Sequence, residues 1–244
     1  MKQGIFEILE NRPLTASVYR MVLGGDTSAI TAPGQFVNIQ LAGKFLRRPI
    51  SVCDYSERTL TLIYKVVGSG TAQMAAMVPG ETLDILTGLG NGYDLNICGD
   101  CPVLVGGGVG VPPMYRLAKE LRAAGKPVTV ILGFNTQSEI FYEKEFADLG
   151  CTVLVTTADG SRGIRGFVTD ALKNVSYSYF YACGPEPMLK ALYRASSTSG
   201  QMSFEERMGC GFGACMGCSC QTLTGSKRIC KDGPVMKKEE ILWN

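Results

Sequence analysis

The sequence predicts a β plus α/β chain in three parts: an N-terminal antiparallel barrel over residues 1–97, a parallel-sheet α/β domain over 98–200, and a small cysteine-rich segment over 201–244. Three observations predict it. Short β-rich runs separated by turn residues fill the first hundred positions. From Cys101 onward, apolar runs alternate with helical patterns. Five of the ten cysteines crowd between positions 210 and 230.

In the first part, β-rich runs occur at 5–10, 18–23, 35–41, 60–67 and 82–86, with Pro-Gly pairs at 33–34 and 79–80. Spacing of this kind belongs to antiparallel barrels and sandwiches. Val37, Ile39 and Leu41 recur at period two, as a half-buried strand requires. In the second part, apolar runs at 103–105, 128–134, 152–156 and 179–182 alternate with helical patterns at 114–124, near 139–149, near 169–173 and at 186–195. Repetition of strand and helix implies a parallel sheet covered on both faces, and it reads as a nucleotide-binding domain. The third part has too few aliphatic residues to build its own core, so a bound metal is expected to hold its shape.

Composition narrows the chemistry. The chain has 244 residues, of which 45% are hydrophobic and 19% charged, with 24 basic and 22 acidic residues for a net charge of +2. That balance gives no electrostatic case for nucleic acid or an anionic membrane. No run approaches the roughly 20 apolar residues of a membrane span. The N-terminus has neither a long apolar stretch nor a small-residue cleavage site, so a cytoplasmic location is expected. Ten cysteines in such a compartment point to metal or redox chemistry more than to disulfides. Histidine is absent, which removes imidazole ligands, histidine bases and serine-type triads together.

Cys210, Cys215 and Cys218 fall in a C-x4-C-x2-C pattern followed by Cys220 and Cys230. This is the spacing of plant-type [2Fe-2S] sites. Gly209, Gly211, Gly213 and Gly217 permit the sharp turns that three thiolates around one cluster demand. Cys220 and Cys230 compete for the fourth place. An extended Cys218-Ser219-Cys220 points its two thiols to opposite sides, which favours Cys230. A structural zinc is the bland alternative, but zinc ribbons favour paired C-x2-C knuckles and only one is present.

Two stretches read as phosphate loops. Gly106-Gly107-Gly108-Val109-Gly110-Val111-Pro112-Pro113 joins a strand to a helix, where backbone amides cradle a pyrophosphate. As GxGxxP (Gly108, Gly110, Pro113) it departs from the usual dinucleotide fingerprint, and no acidic residue closes the following strand at Asn135. Cys183-Gly184-Pro185 ends a second strand at the same sheet edge, where open α/β sheets bind ligands. In the first part, Arg47-Arg48-Pro49-Ile50-Ser51 sets a guanidinium and a hydroxyl on one extended stretch. Ile63-Tyr64-Lys65 leads to Gly68-Ser69-Gly70-Thr71 and a helix expected over 72–77, with Thr71 as its N-cap. Singly these are surface arginines and a capped helix; together they fit a dinucleotide stretched along a barrel.

With Arg48-Pro-Ile-Ser51, Gly70-Thr71, Gly106 to Pro113, Cys183-Gly-Pro185, Glu206-Arg-Met-Gly-Cys210 and Cys230-Lys-Asp-Gly-Pro234 in this order, the chain resembles a family over essentially its whole length. The family is the iron–sulfur flavoprotein, electron-transfer subunits of bacterial NAD-dependent class 1B dihydroorotate dehydrogenases, in the ferredoxin–NADP reductase superfamily. The resemblance implies FAD at Arg48, Pro49, Ile50, Ser51, Ile63, Tyr64, Lys65, Gly70 and Thr71. It implies NAD at Gly107, Gly108, Gly110, Pro113, Cys183, Gly184 and Pro185, and the cluster on Cys210, Cys215, Cys218 and Cys230. It also implies an FMN-containing catalytic subunit as partner, two of each in a heterotetramer, serving pyrimidine (UMP) biosynthesis. No general acid or base of this chain is expected, because the cofactors carry the chemistry.

Rival readings are a subunit of an NADH-dependent ferredoxin:NADP oxidoreductase or sulfide dehydrogenase and, from another class, a zinc-stabilised nucleotide-binding regulator. Arg162 and Arg165 lie where a 2′-phosphate could be gripped, which keeps NADP in play. Trp243 does not match the flavin-stacking residue of plant-type reductases.

Overall fold

Turns built on Gly34 (φ +94°) and Gly80 (φ +92°) fold the first ninety residues back on themselves; both values favour a residue without Cβ. The computed structural model describes residues 1–243. Six strands close an antiparallel barrel: β1 (Lys2–Pro13), β2 (Val18–Gly24), β3 (Phe36–Gln40), β4 (Arg48–Tyr55), β5 (Thr59–Lys65) and β6 (Thr82–Leu89), in the order β1-β2-β5-β4-β3-β6. Alternate residues turn inward as the period of two requires. Phe6, Ile8, Met21, Leu23, Val37, Ile39, Leu60, Leu62 and Tyr64 fill the interior. Helix α1 (Ser69–Ala76) plugs one end, with Met74 fully buried.

Thr71, expected as the N-cap, is instead the third residue of α1, which starts after Gly68. Its hydroxyl still serves the helix start, accepting the N–H groups of Val67 (2.9 Å) and Gly68 (3.3 Å).

The second sheet has seven strands in the order β10-β9-β8-β7-β11-β12-β15. They are β7 (Pro102–Gly107), β8 (Thr129–Phe134), β9 (Thr152–Thr157), β10 (Ile164–Arg165), β11 (Tyr179–Cys183), β12 (Gly200–Ser203) and β15 (Val235–Lys237). Six are mutually parallel, and β15 adds antiparallel to β12. Helices α2 (Val111–Ala123), α3 (Glu143–Asp148), α4 (Val168–Leu172) and α5 (Glu186–Ala195) cover the faces. Pro112 and Pro113 sit in the first turn of α2, where a missing N–H costs nothing. The helix expected near 139–149 shortens to α3, because Tyr142 turns to φ +66° and buries its ring against Tyr115 (centroids 5.1 Å apart). Among the described residues no helix is long and apolar enough to cross a membrane.

The cysteine-rich segment leans on its neighbours. Cys218, Ile229, Cys230, Met236 and Ile241 join a core with Phe36 and Leu89 of the barrel and Val103, Phe180 and Leu192 of the α/β domain. Between β12 and β15 the chain leaves the sheet, makes one hairpin of β13 (Ser219–Thr222) and β14 (Gly225–Arg228), and returns. Asn91, in the link between barrel and sheet, fastens the return: its Nδ2 donates to Val235 O (2.7 Å) and its Oδ1 accepts Val235 N–H (2.9 Å).

Arg116 of α2 sets the barrel against the sheet. Its guanidinium lies 3.9 Å over the Tyr55 ring and donates to Asp54 Oδ1 (3.2 Å) and Tyr55 O (2.6 Å) of β4.

Candidate dinucleotide cleft and cysteine loop

A cleft of about 630 Å³ runs along the carboxyl edge of the parallel sheet, with Thr15, Ser17, Val18 and Lys65 of the barrel on its other wall. The strand order places the ends of β7 and β11 side by side at its floor. The two segments predicted to bind NAD therefore touch: a Cβ on Gly110 would overlap the carbonyl of Cys183, and one on Gly107 would overlap the Met188 sulfur. Gly107, Gly108, Gly110, Gly184 and Pro185 all line the cleft. Pro113 and Cys183 lie behind it as buried supports. Burial pushes the Cys183 thiol up to about 12, so it is a neutral wall and not a thiolate.

Two features of this cleft escaped the sequence reading. An acid does reach the end of β8, from four residues further on: Glu139 accepts from Asn135 N (3.1 Å) and Nδ2 (2.9 Å). Glu205, just past β12, also lines the cleft. Its side chain is open to solvent, yet enough protein surrounds the carboxyl for desolvation to raise its pKa. Arg162 and Arg165 do not line the cleft, and Arg162 is committed to Glu143 through Nη2 (3.0 Å to each carboxylate oxygen).

On the barrel, Arg48 folds over the start of α1 so closely that a Cβ on Gly70 would overlap its guanidinium. A fixed cation thus meets the positive end of a helix, a combination made for an anion. Lys44 Nζ reaches Ser69 Oγ (3.0 Å) at the same end. Pro49 and Ser51 face outward from β4 and pair with Asn38 and Phe36 of β3, while Ile50 turns toward the barrel core. Ile63 faces the α/β domain and Lys65 the cleft. Tyr64 does not share that outward face: its ring is buried in the barrel and its hydroxyl bonds Asn11 Oδ1 (3.0 Å).

The cysteine loop lies on the β3–β6 face of the barrel. Asn38 Nδ2 donates to Cys210 O (3.2 Å). The loop's own amides turn to sulfur: Ala214 N (3.2 Å) and Cys215 N (3.4 Å) to Cys210 Sγ, Cys210 N (3.5 Å) to Cys215 Sγ, and Cys230 N (3.4 Å) to Cys218 Sγ. Against the desolvation of burial, N–H groups of Phe212, Cys215 and Ala214 bring the Cys210 thiol down to about 6. Burial and the Cys218 sulfur push Cys230 up to about 12. Positive φ at Gly211 (+78°), Gly213 (+91°) and Met216 (+60°) turns the chain between the thiols. Cys220 belongs to a second, smaller cavity beside Phe204, Gln221 and Trp243, which none of the other four cysteines lines. Among the described residues no three histidine, cysteine or acidic groups are arranged to hold a single metal ion. Trp243 packs edge-on against Tyr193 of α5 (5.6 Å) and on Phe204 (5.5 Å).

These residues fit the groups that the resemblance implies. Sulfurs ringed by amide donors suit an anionic thiolate-ligated cluster. The Arg48–Gly70 cradle suits a pyrophosphate, and the buried Asn38 Oδ1 has no partner among the described residues.

Comparison with known proteins agrees. Residues 205–242 match the iron–sulfur cluster binding domain of dihydroorotate dehydrogenase B, and residues 104–194 match the oxidoreductase NAD-binding domain. The chain is 44% identical to the dihydroorotate dehydrogenase B (NAD(+)) electron transfer subunit of a Geobacillus species, covering 99% of each chain. Its identity to the same subunit of Fusobacterium nucleatum is 43%, over 95% of each. Among solved structures, a chain of the NADH-dependent reduced ferredoxin-NADP oxidoreductase superposes with a TM-score of 0.88 at 32% identity, covering 98% of this chain and 90% of that one. A ferredoxin NADP+ reductase from Neisseria gonorrhoeae shares the fold at a TM-score of 0.70 and 20% identity, over 80% of this chain and 90% of that one.

Proposed function

The chain belongs to the family of electron-transfer subunits of NAD-dependent dihydroorotate dehydrogenase B, and from that premise we propose how its residues divide the work. It is an oxidoreductase subunit that passes electrons from the FMN of a catalytic dihydroorotate dehydrogenase subunit to NAD+, serving pyrimidine (UMP) synthesis in the cytoplasm, two copies of each subunit together. Bound FAD and [2Fe-2S] supply one-electron and hydride chemistry that no side chain possesses.

The residues hold and orient. Arg48, with Gly70 and Thr71 at the start of α1, grips the FAD pyrophosphate. Pro49, Ile50 and Ser51 of β4 and Ile63, Tyr64 and Lys65 of β5 flank the flavin, Ile50 and Tyr64 through their backbone alone. The amides of Gly107, Gly108 and Gly110, backed by Pro113, receive the NAD pyrophosphate, and Cys183-Gly184-Pro185 shapes the nicotinamide end. Cys210, Cys215, Cys218 and Cys230 hold the cluster. The working units are residues 1–97 for FAD, 98–200 for NAD and 201–244 for the cluster, the last borrowing a sheet edge from the second.

One observation carries this reading: β4, which bears Arg48, lies between β5, whose Lys65 lines the cleft, and β3, whose Asn38 holds the cysteine loop. A second reading, a subunit of an NADH-dependent ferredoxin:NADP oxidoreductase, draws on the full-length likeness to such a chain. The higher identity to the dihydroorotate dehydrogenase subunits favours the first.

The test is anaerobic purification with and without the FMN subunit. Alone, the chain is expected to carry one flavin and two irons and to reduce artificial acceptors with NADH. It should turn over dihydroorotate only with its partner. Turnover by the single chain, or zinc without chromophore, would sink the proposal.

A further inference from the structure

Asn38 occupies an unusual position. It is 1% exposed, on the outward face of β3, directly opposite Leu86 of β6 on one side and Pro49 of β4 on the other. Its Nδ2 holds the Cys210 carbonyl, and Gly211 leaves it room, since a Cβ there would overlap that nitrogen. A carbonyl is an acceptor only, so chemistry fixes which end of the amide faces the cysteine loop. The other end, Oδ1, is buried and has no hydrogen-bond partner among the described residues. An amide oxygen so placed is destabilising unless a donor arrives. The neighbour across β4 is Pro49, which has no N–H to give.

We propose that Asn38 is a positioning residue between cluster and flavin, its Nδ2 anchoring the Cys210 turn and its Oδ1 accepting a hydrogen bond from the FAD bound along β4. This rests on the FAD and cluster assignments proposed above. A flavin offers donors of the required kind, an imide N–H and ribityl hydroxyls, whereas the nearest guanidinium, that of Arg47, is spent on the Asn38 backbone carbonyl and on Asp84. One side chain then ties the two redox groups to each other, so that a shift of the cysteine turn is felt at the flavin.

The experiment compares the full-length chain with Asn38→Ala and Asn38→Asp. FAD affinity is read by fluorescence titration of flavin-stripped protein, and the cluster by its reduced EPR signal and midpoint potential. Asn38→Ala removes both ends: the FAD dissociation constant should rise about tenfold, the worth of one hydrogen bond, and the cluster signal and potential should shift with four cysteines still in place. Asn38→Asp keeps an acceptor but loses the donor. FAD affinity should return to within about threefold of the parent while the altered cluster signal persists. If Asn38→Ala binds FAD as the parent does, or if Asn38→Asp loses FAD affinity equally, Oδ1 has no flavin partner and the inference is overturned. Should Asn38→Ala not fold, Asn38→Asp decides alone: an unshifted cluster signal, or a tenfold loss of FAD affinity, overturns it. A parent chain that binds neither flavin nor iron would instead refute the underlying assignments.

Discussion

The dinucleotide cleft and the cysteine loop are built on opposite plans. Finished strands and helices wall the cleft, and its two glycine loops are pressed together by the register of β7 against β11. Between β12 and β13, the cysteine loop has turns but no strand or helix, and its amides bond to sulfur where other segments bond to carbonyls. The cleft is a shape that exists before its ligand. In the loop the ligand is part of the shape, so removing it and mutating it become one experiment.

The contrast breaks most sharply at the thiols. Cys230→Ala should abolish the cluster, seen as loss of iron and of the reduced EPR signal, while Cys220→Ala should keep both. A cluster that survives Cys230→Ala and not Cys220→Ala would exchange their roles. In the cleft, a methyl group should suffice: Gly110→Ala has nowhere to go but into the Cys183 backbone. It should cost roughly 2–3 kcal/mol of stability and most NADH-driven acceptor reduction while leaving the cluster spectrum intact. Arg48→Ala should weaken FAD binding by roughly 10- to 100-fold, the worth of a charge-assisted contact, with little change in melting temperature.

Acid should show the smallest effect. The Arg47 guanidinium beside Asp84 and the Arg228 guanidinium beside Asp232 hold both carboxyls below their ordinary range. A depressed folded value means the stabilisation is complete above the unfolded value near 4 and fades as pH falls through the folded one. Asp84 braces the barrel face under the loop and Asp232 lies within the loop's return. Limited proteolysis between pH 5 and 3 should therefore cut near 204–234 before it cuts the barrel. Cleavage that is uniform at every pH would remove the distinction.

Much of this was legible in the sequence because period and punctuation carry it. Val37, Ile39 and Leu41 alternate, glycines turn the chain at 34 and 80, and β7 runs straight into Gly107. Family order carried the rest of the cofactor map. What stayed hidden depends on partners far along the chain. Nothing local says that Val235 to Lys237 will join a sheet whose nearest strand ended more than thirty residues earlier, since three residues give no readable period. Tyr142 offers no sign of its positive φ, which burial of its ring imposes. Arg162 read as a candidate grip for a 2′-phosphate because its partner Glu143 comes nineteen residues earlier. Tyr64 belonged to a motif, and the motif did not tell which way its ring would point. Asn38 looked like an ordinary polar residue in a strand until the loop lying across it was known.

The Asn91 contact with Val235 has a consequence for maturation. A side-chain amide there imitates the edge of a strand, donating to and accepting from one residue's backbone, and none of those atoms belongs to a cysteine. During synthesis β12 emerges before the thiols and β15 after them. The Asn91–Val235 clasp therefore needs no cysteine to close, and it ties the end of the loop to the sheet edge independently of what the thiols hold.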